Sequence, residues 1–104
     1  MSFRLAHDAL DDLEAICFNE AERSGWDHSM DIEAQLWEAF ATLGKNPGIG
    51  HRRSDITSAA LYFFFSNPYM IVYRSDLTPI AITSIIHGSR DLEAMLAERP
   101  TSHI

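Results

Sequence analysis

The sequence has few of the residues that cross-link a chain, direct it to another compartment or anchor it. Its 104 residues include a single cysteine, Cys17, so no disulfide framework can form and a reducing compartment is the default. No basic amino-terminal segment leads into a long apolar run, and no stretch approaches the roughly 20 apolar residues that span a bilayer. These absences predict a cytoplasmic protein without signal peptide or membrane contact.

Positive charge is also scarce. Eight Lys and Arg residues stand against 15 Asp and Glu residues, which gives a net charge of −7. Residues 1–44 contain ten acidic and two basic residues, a net charge of −8, whereas residues 45–104 contain five acidic and six basic residues, a net charge of +1. Polyanion binding by the whole surface is therefore unfavourable, and an anionic partner would have to meet the carboxy-terminal half.

Clusters of metal ligands and nucleophiles are missing as well. His7 and Asp11 stand four residues apart at a helix start, but no second pair has ligand spacing, which favours a charge cluster over a metal site. Cys17 shares a helical face with Leu10 and Leu13, which favours a core position over a nucleophilic one. We therefore expect no metal, no cofactor and no catalytic residue.

Three short runs rich in β-branched and aromatic residues dominate the carboxy-terminal half. They are Leu61–Ser66, Tyr69–Arg74 and Ile80–His87, separated by the turn formers Asn67-Pro68 and Ser75 to Pro79. This pattern predicts an antiparallel meander. Strict alternation would place Ile80, Ile82 and Ile86 on one face and Ala81 and Ile85 on the other. Both faces are apolar, so each must be covered by another element.

Two stretches with helical periodicity precede the meander. The first begins at His7 and ends at Gly25, with Glu20 on its solvent side; the second begins near Ser29 and ends at Gly44. Joined by a loop, they form a helical hairpin whose apolar stripes cover one face of the meander. The stripe of the first helix comprises Leu10, Leu13, Ile16, Cys17 and Ala21.

Shorter elements complete the chain. Ser2–Ala6 predicts an edge strand, and Ser89–Arg99 a short final helix. The Gly- and Pro-containing stretch Lys45–Ser54 is either a solvated loop or a contact surface. Trp26 and Trp37 are expected to pack. Together the elements predict one α+β domain over residues 1–104: an edge strand, a helical hairpin on an antiparallel meander, and a short carboxy-terminal helix.

A final helix of about 11 residues spans only about 16 Å. It is too small for the second face of the meander, so an apolar groove should stay exposed and need a protein partner. The residues expected to line this groove are Tyr62, Phe64, Met70, Val72 and Ile85, with Leu92 and Met95 from the final helix.

The order of elements and three motifs resemble the RelE/ParE superfamily of bacterial toxins from type II toxin–antitoxin pairs. Leu43–Gly50, followed by Arg53, looks like the loop before the sheet, and Pro68–Arg74 looks like the central strand. Ile85–Asp91 closely matches the ParE-type ending, in which His-Gly-x-Arg-Asp leads into the final helix. The resemblance covers nearly the whole chain.

The resemblance implies a toxin that a cognate antitoxin neutralises in a hetero-oligomer, with nucleic acid contacted only through the antitoxin. ParE-type members poison DNA gyrase, whereas RelE-type members cleave messenger RNA on the ribosome. Met70 stands where a nuclease-type member has a phosphate-stabilising Arg, and a thioether cannot stabilise the developing charge, which favours the ParE type. The alternatives are a ribosome-dependent mRNA endonuclease, or an inactive homologue that only binds antitoxin and supports operon repression.

The resemblance also implies roles for particular residues. Arg52, Arg53, His87 and Arg90 are the expected target-binding residues, placed together at one end of the sheet. The apolar groove is the expected receptor for the antitoxin's carboxy-terminal segment. Asp91, in the first turn of the final helix, is expected to be structural.

Overall fold

The helices and strands follow one another in the predicted order in the computed structural model, which describes residues 3–57 and 60–99. They are β1 (Phe3–Leu5), α1 (His7–Ser24), α2 (Trp26–Lys45), a 3-10 turn (Pro47–Ile49), β2 (His51–Arg52), β3 (Tyr62–Ser66), β4 (Tyr69–Arg74), β5 (Ile80–His87) and α3 (Leu92–Ala97). The strands form one sheet in the order β1-β5-β4-β3-β2, with β1 parallel to β5 and the other pairs antiparallel. The α+β prediction is confirmed. No helix in the described ranges is long and apolar enough to cross a membrane.

Some predicted boundaries are wrong. The helix α2 begins at Trp26 rather than near Ser29, because Gly25, with a φ of 90°, makes the connection alone. The helix α3 has six residues rather than the expected eleven. It starts late because the Asp91 side chain caps it, accepting a hydrogen bond from the Ala94 amide at 3.1 Å. The predicted structural role of Asp91 is thus confirmed.

The hairpin covers one face of the sheet with two buried stripes. On α1 the stripe is Ala9, Leu13, Ile16 and Glu20, and on α2 it is Ser29, Ile32, Leu36, Phe40 and Leu43. The stripe of α1 is rotated from the predicted one, so Leu10 is 48% exposed and Cys17 only half-buried. The spacing of four, three and four residues brings a carboxylate, Glu20, into the buried line.

A β-bulge changes which face the second half of β5 presents. Val72 lies opposite Ser84, whereas the next residue of β4 lies opposite Ile82, so β5 contains one extra residue. Ile85 therefore faces the hairpin together with Ile82, and Ile86 faces the other side. Strict alternation predicted the reverse for Ile85 and Ile86 and is wrong beyond the bulge.

The second face of the sheet is covered by α3 and by the turn that follows β2. The buried cluster on this side is Leu61, Phe63, Val72, Ile86 and Leu96, with Ile56, Met70, Leu92 and Met95 partly buried against it. Both apolar faces are thus covered within the described chain.

A buried tyrosine fixes the connection between α2 and β2. The Tyr73 hydroxyl donates to the Pro47 carbonyl at 2.7 Å and accepts from the Gly50 amide at 3.0 Å. A Cβ atom added at Gly50 would lie 2.4 Å from that hydroxyl oxygen, so the position has no room for a side chain. The predicted irregular stretch is instead a 3-10 turn and a short strand held against the sheet.

Replacement of Tyr73 by Phe tests this anchor. We expect Tyr73→Phe to lower the free energy of unfolding by about 1–3 kcal/mol, because the Pro47 carbonyl and the Gly50 amide lose their buried partner. Urea titration measures the change. The control is Tyr62→Phe, because the Tyr62 ring packs on Tyr73 with centroids 5.7 Å apart and its hydroxyl has no hydrogen-bond partner in the described chain. Equal losses in both variants would contradict the anchoring role.

Candidate functional site

A cleft of about 490 Å³ lies beside the second half of β5. It exists because β1 pairs with β5 only from Ile80 to Ile82, so the later residues of β5 form a free sheet edge. The helix α1, the end of β5, the turn after it and α3 line the cleft. It brings together His87 and Arg90 of the predicted target-binding set with Ile85 and Met95 of the predicted groove.

A buried carboxylate lies at one side of the cleft. Glu20 is 2% exposed and accepts hydrogen bonds from the Tyr69 hydroxyl at 2.7 Å and from Arg23 at 2.6 Å. His28 Nε2 lies 3.7 Å from the same carboxylate. The Tyr69 hydrogen bond, together with Arg23, holds the pKa of Glu20 below its usual value although burial opposes this. Burial and the Glu20 charge raise the pKa of Tyr69.

An ion pair closes the other side of the cleft. Arg99, just beyond α3, donates to both carboxylate oxygens of Asp12 on α1, at 2.7 and 2.9 Å. The same carboxylate accepts the free-edge amide of Ile85 at 2.9 Å, and Arg99 also reaches the Ser84 hydroxyl at 2.9 Å. Asp12 and Arg99 therefore fasten α1 and the end of α3 to the unpaired part of β5. The Asp12 hydrogen bonds raise the pKa of Arg99.

The turn after β5 forms the rim of the cleft. The His87 ring packs edge-on against Tyr69, with centroids 5.5 Å apart, and its Nδ1 accepts the Ser89 amide at 3.1 Å. Ser89 Oγ lies 2.7 Å from the same nitrogen, a contact within one turn. Among the described cleft residues, Arg90 is the one Arg without a carboxylate partner. The rim thus offers an exposed guanidinium and an imidazole to an acidic group.

Arg52 and Arg53 do not belong to this site. Arg52 lies on β2 and Arg53 directly follows it, and β2 is the opposite edge of the sheet, three strands away from β5, or about 14 Å at roughly 4.8 Å per strand. The Arg53 side chain also binds Asp55 through two hydrogen bonds, at 3.0 and 2.9 Å. The prediction that these residues share one end of the sheet with His87 and Arg90 is wrong. Arg52 lies opposite Tyr62 and so aligns with Tyr73 near the end of β4, whereas His87 lies opposite Tyr69 at its start.

The predicted apolar groove is not one surface. Tyr62, Phe64 and Ile85 pack on the hairpin side of the sheet, whereas Met70, Val72, Leu92 and Met95 lie on the side of α3. Val72 is 0% and Ile85 3% exposed. The prediction is wrong because the β3–β4 register pairs Val72 with Phe63 and Met70 with Phe65, not with Tyr62 and Phe64, so the two pairs lie on opposite faces. Both faces are also already covered.

Glu20 and the Asp12–Arg99 pair were not recognised from the sequence as parts of a site. Glu20 could have been found from its position, because it continues the spacing of three and four residues that links the buried residues of α1. Asp12 and Arg99 are 87 positions apart and carry no local signal of their pairing. The exposed pair His7 and Asp11 lies at 3.3 Å, and no group of three or more His, Cys, Asp or Glu in the described ranges could hold a metal ion.

Comparisons with known proteins agree with the resemblance. A family model described as ParE toxin of type II toxin-antitoxin system, parDE, matches residues 3–92. Among solved structures, the fold is similar to that of a chain in the chromosomal ParDE TA system from P. aeruginosa, with a TM-score of 0.72 and 19% identity over 84% of this chain and 95% of that chain. A search of curated proteins finds no match.

The buried Tyr69–Glu20 hydrogen bond predicts a pH-dependent loss of stability. We expect Tyr69→Phe to lower the free energy of unfolding at neutral pH by about 1.5–3 kcal/mol, because Glu20 stays charged and loses a buried donor. A carboxyl group whose pKa is lower in the folded than in the unfolded state stabilises the fold at pH values above its unfolded pKa of about 4.3. This stabilisation is lost as the pH falls through the folded-state pKa.

The difference between wild type and Tyr69→Phe should therefore shrink on acidification, as measured by urea titration over a pH series. Tyr73→Phe is the matched control, because the Tyr73 hydroxyl bonds only backbone groups and its loss should not vary over the same range. A constant difference for Tyr69→Phe would show that Glu20 is not the group involved.

The Asp12–Arg99 pair is expected to stabilise α3. We expect Arg99→Met to speed hydrogen exchange of the α3 amides, about tenfold for each 1.4 kcal/mol lost, because Asp12 no longer holds the end of the helix. Arg90→Met is the control, since an exposed Arg without a partner contributes within about 0.5 kcal/mol. If hydrogen exchange of the α3 amides is unchanged in Arg99→Met, the Asp12–Arg99 pair does not stabilise α3.

Proposed function

Because the chain belongs to the ParE toxin family of type II toxin–antitoxin systems, we propose that it inhibits DNA gyrase by binding, without catalysis, and that a cognate antitoxin neutralises it. The family match includes the whole sheet and hairpin and reaches the first residue of α3. Its site of action would be the cytoplasm, where gyrase acts on DNA. The protein would form a hetero-oligomer with its antitoxin, through which alone it meets nucleic acid.

The observation that carries the target-binding proposal is the charge distribution of the cleft. Glu20 and Asp12 are buried or half-buried and are each paired with an Arg, so their charges are satisfied within the molecule. Arg90 remains exposed at the rim, beside His87. An unpaired guanidinium with a planar fork of donors suits an acidic group on a protein surface.

RNA cleavage of the RelE type is the second candidate, and the surroundings of Met70 count against it. Met70 lies half-buried against the apolar cluster under α3, with Leu92 and Met95, rather than beside a cation. Arg52 is at the distant β2 edge. A net charge of −7 further disfavours docking to ribosomal RNA. These features support binding as the mode of action.

The antitoxin contact is a separate part of the proposal. Of the residues expected in the groove, Met70, Leu92 and Met95 are half-buried on one side of the sheet, beside the six-residue helix α3. A helix this short leaves their outer surfaces open to a partner segment. We place the antitoxin contact there, and binding would stabilise the fold by mass action.

Replacement of Arg90 by Ala tests the proposed target site. Wild-type protein should inhibit DNA supercoiling by purified gyrase and cause filamentation with DNA-damage signalling when expressed without antitoxin. Arg90→Ala should lose both effects while unfolding within about 0.5 kcal/mol of wild type. Arg52→Ala is the control: it is an exposed Arg at the opposite sheet edge and should retain both effects.

Other outcomes would replace the proposal. Immediate translation arrest with cleaved messages would indicate a ribosome-dependent nuclease. Unimpaired growth on expression of the wild-type protein would indicate an inactive homologue that serves only antitoxin binding and operon repression. If Arg90→Ala is as toxic as Arg52→Ala, the target does not bind at the cleft.

A further inference from the structure

Phe65 is the one strand residue among the exposed large hydrophobic side chains of the described chain, with an exposure of 52%. The others lie on the helical hairpin or in the 3-10 turn: Leu10, Phe18, Trp26, Met30, Trp37 and Ile49. The expectation that both tryptophans pack is wrong for Trp26, whereas the Trp37 ring lies against Phe3 and Phe40. On the sheet, the residue two positions before Phe65 on the same face is buried, so the core ends before the Phe65 ring.

The far edge of the Phe65 ring rests on Gly88, in the turn after β5. A Cβ atom added at Gly88 would lie 3.1 and 3.7 Å from two carbons of the ring and 3.2 Å from the Pro68 carbonyl oxygen. The Gly88 amide also donates to that carbonyl at 2.8 Å. The φ of Gly88 is not positive, so glycine is needed here for space rather than for its backbone freedom. The Gly of the His-Gly-x-Arg-Asp motif is thus the point where an aromatic ring approaches the main chain.

This contact brings the Phe65 ring to the turn that carries Arg90. The strand β4 lies between β3, which holds Phe65, and β5, so the ring reaches across β4 toward the end of β5. The Arg90 amide donates to the His87 carbonyl at 2.9 Å and closes the turn. The Cα atoms of Gly88 and Arg90 are at most about 7 Å apart, because two residues of extended chain span no more than that. Phe65 and Arg90 therefore border the same turn, within reach of one partner surface.

An exposed ring beside an unpaired guanidinium suits a protein surface. Aromatic and Arg side chains are among those that most often carry the binding energy of protein interfaces. Because the Phe65 ring already rests on the main chain, it has less side-chain freedom to lose when a partner binds. Arg90 has no carboxylate partner in the described ranges, so it is available for an acidic group. A nucleic-acid strand could also stack on the ring, but the net charge of −7 disfavours it.

We propose that Phe65 is a second target-binding residue and that Gly88 positions its ring. The inference rests on the proposed function, in which Arg90 meets the target protein. The ring covers an apolar side chain of the target, and Arg90 binds an acidic group next to that side chain. The target contact thus extends from the rim of the cleft across the end of the sheet to β3.

Variants of Phe65 test the proposal in the full-length protein. Phe65→Ala should raise the concentration that half-inhibits gyrase supercoiling by about tenfold or more and should lower toxicity on expression without antitoxin. Phe65→Tyr keeps the ring and should keep both effects. Phe18→Ala is the matched control, because Phe18 is 57% exposed and does not line the cleft. Thermal melts verify that each variant is folded, and Phe65→Thr, a good strand former, is the second probe should Phe65→Ala fail to fold.

Gly88→Ala tests whether the position of the ring matters. The added methyl group would displace the ring, which is the movable neighbour at this point, so inhibition should weaken although Phe65 is still present. Combined with Phe65→Ala, the same change should add little, because no ring remains to be displaced. Equal effects of Gly88→Ala in both backgrounds would show that Gly88 does not act through Phe65.

The outcomes separate this inference from the proposed function. If Arg90→Ala loses inhibition and toxicity but folded Phe65→Ala keeps both, the inference is wrong and the proposed function stands. If the wild-type protein is toxic without inhibiting gyrase, the proposed target is wrong, but a loss of toxicity in Phe65→Ala would still support the ring as a target contact. Binding of labelled single-stranded DNA that is lost in Phe65→Ala would identify nucleic acid as the occupant and overturn the inference.

Discussion

A sheet with two apolar faces has to be covered on both sides, and the arrangement of every other element depends on that constraint. The hairpin covers one face with long buried stripes on two helices. The other face depends on α3, which has only six residues and would not be stable as an isolated helix. Its position is fixed by side chains rather than by its own length: Asp91 caps its start, and Arg99 binds Asp12 beyond its end.

The candidate site lies where this covering is incomplete. The parallel strand β1 protects β5 only as far as Ile82, and the remaining edge is completed by side chains instead of another strand. Buried polar groups in such a place must be satisfied, and Glu20 and Asp12 are. What remains for a partner is the exposed Arg90 beside His87. The absence of a strand beside the second half of β5 thus both creates the cleft and exposes its rim.

Sequence reasoning was most successful where hydrophobic periodicity was strong. The bounds of β4 and β5 agree with the structure, as do those of α1. It failed where a single residue changed the geometry: the extra residue of β5 reversed the faces of Ile85 and Ile86, and Gly25 alone made the connection that was expected to take several residues. It also could not reveal the Asp12–Arg99 pair, because only the folded chain brings the two residues together.

The pairing of β1 with β5 has a consequence for synthesis of the protein. Phe3 lies opposite Ile80, so the first strand of the sheet finds its neighbour only after β5, 77 positions later, has been translated. The contact order of this sheet edge is high, which slows its closure, whereas the hairpin consists of local contacts that form early. A nascent chain thus displays an acidic helical hairpin well before the cleft with Arg90 exists. The helical hairpin therefore precedes the candidate target site in assembly, because β5, Arg90 and α3 all follow it in the chain.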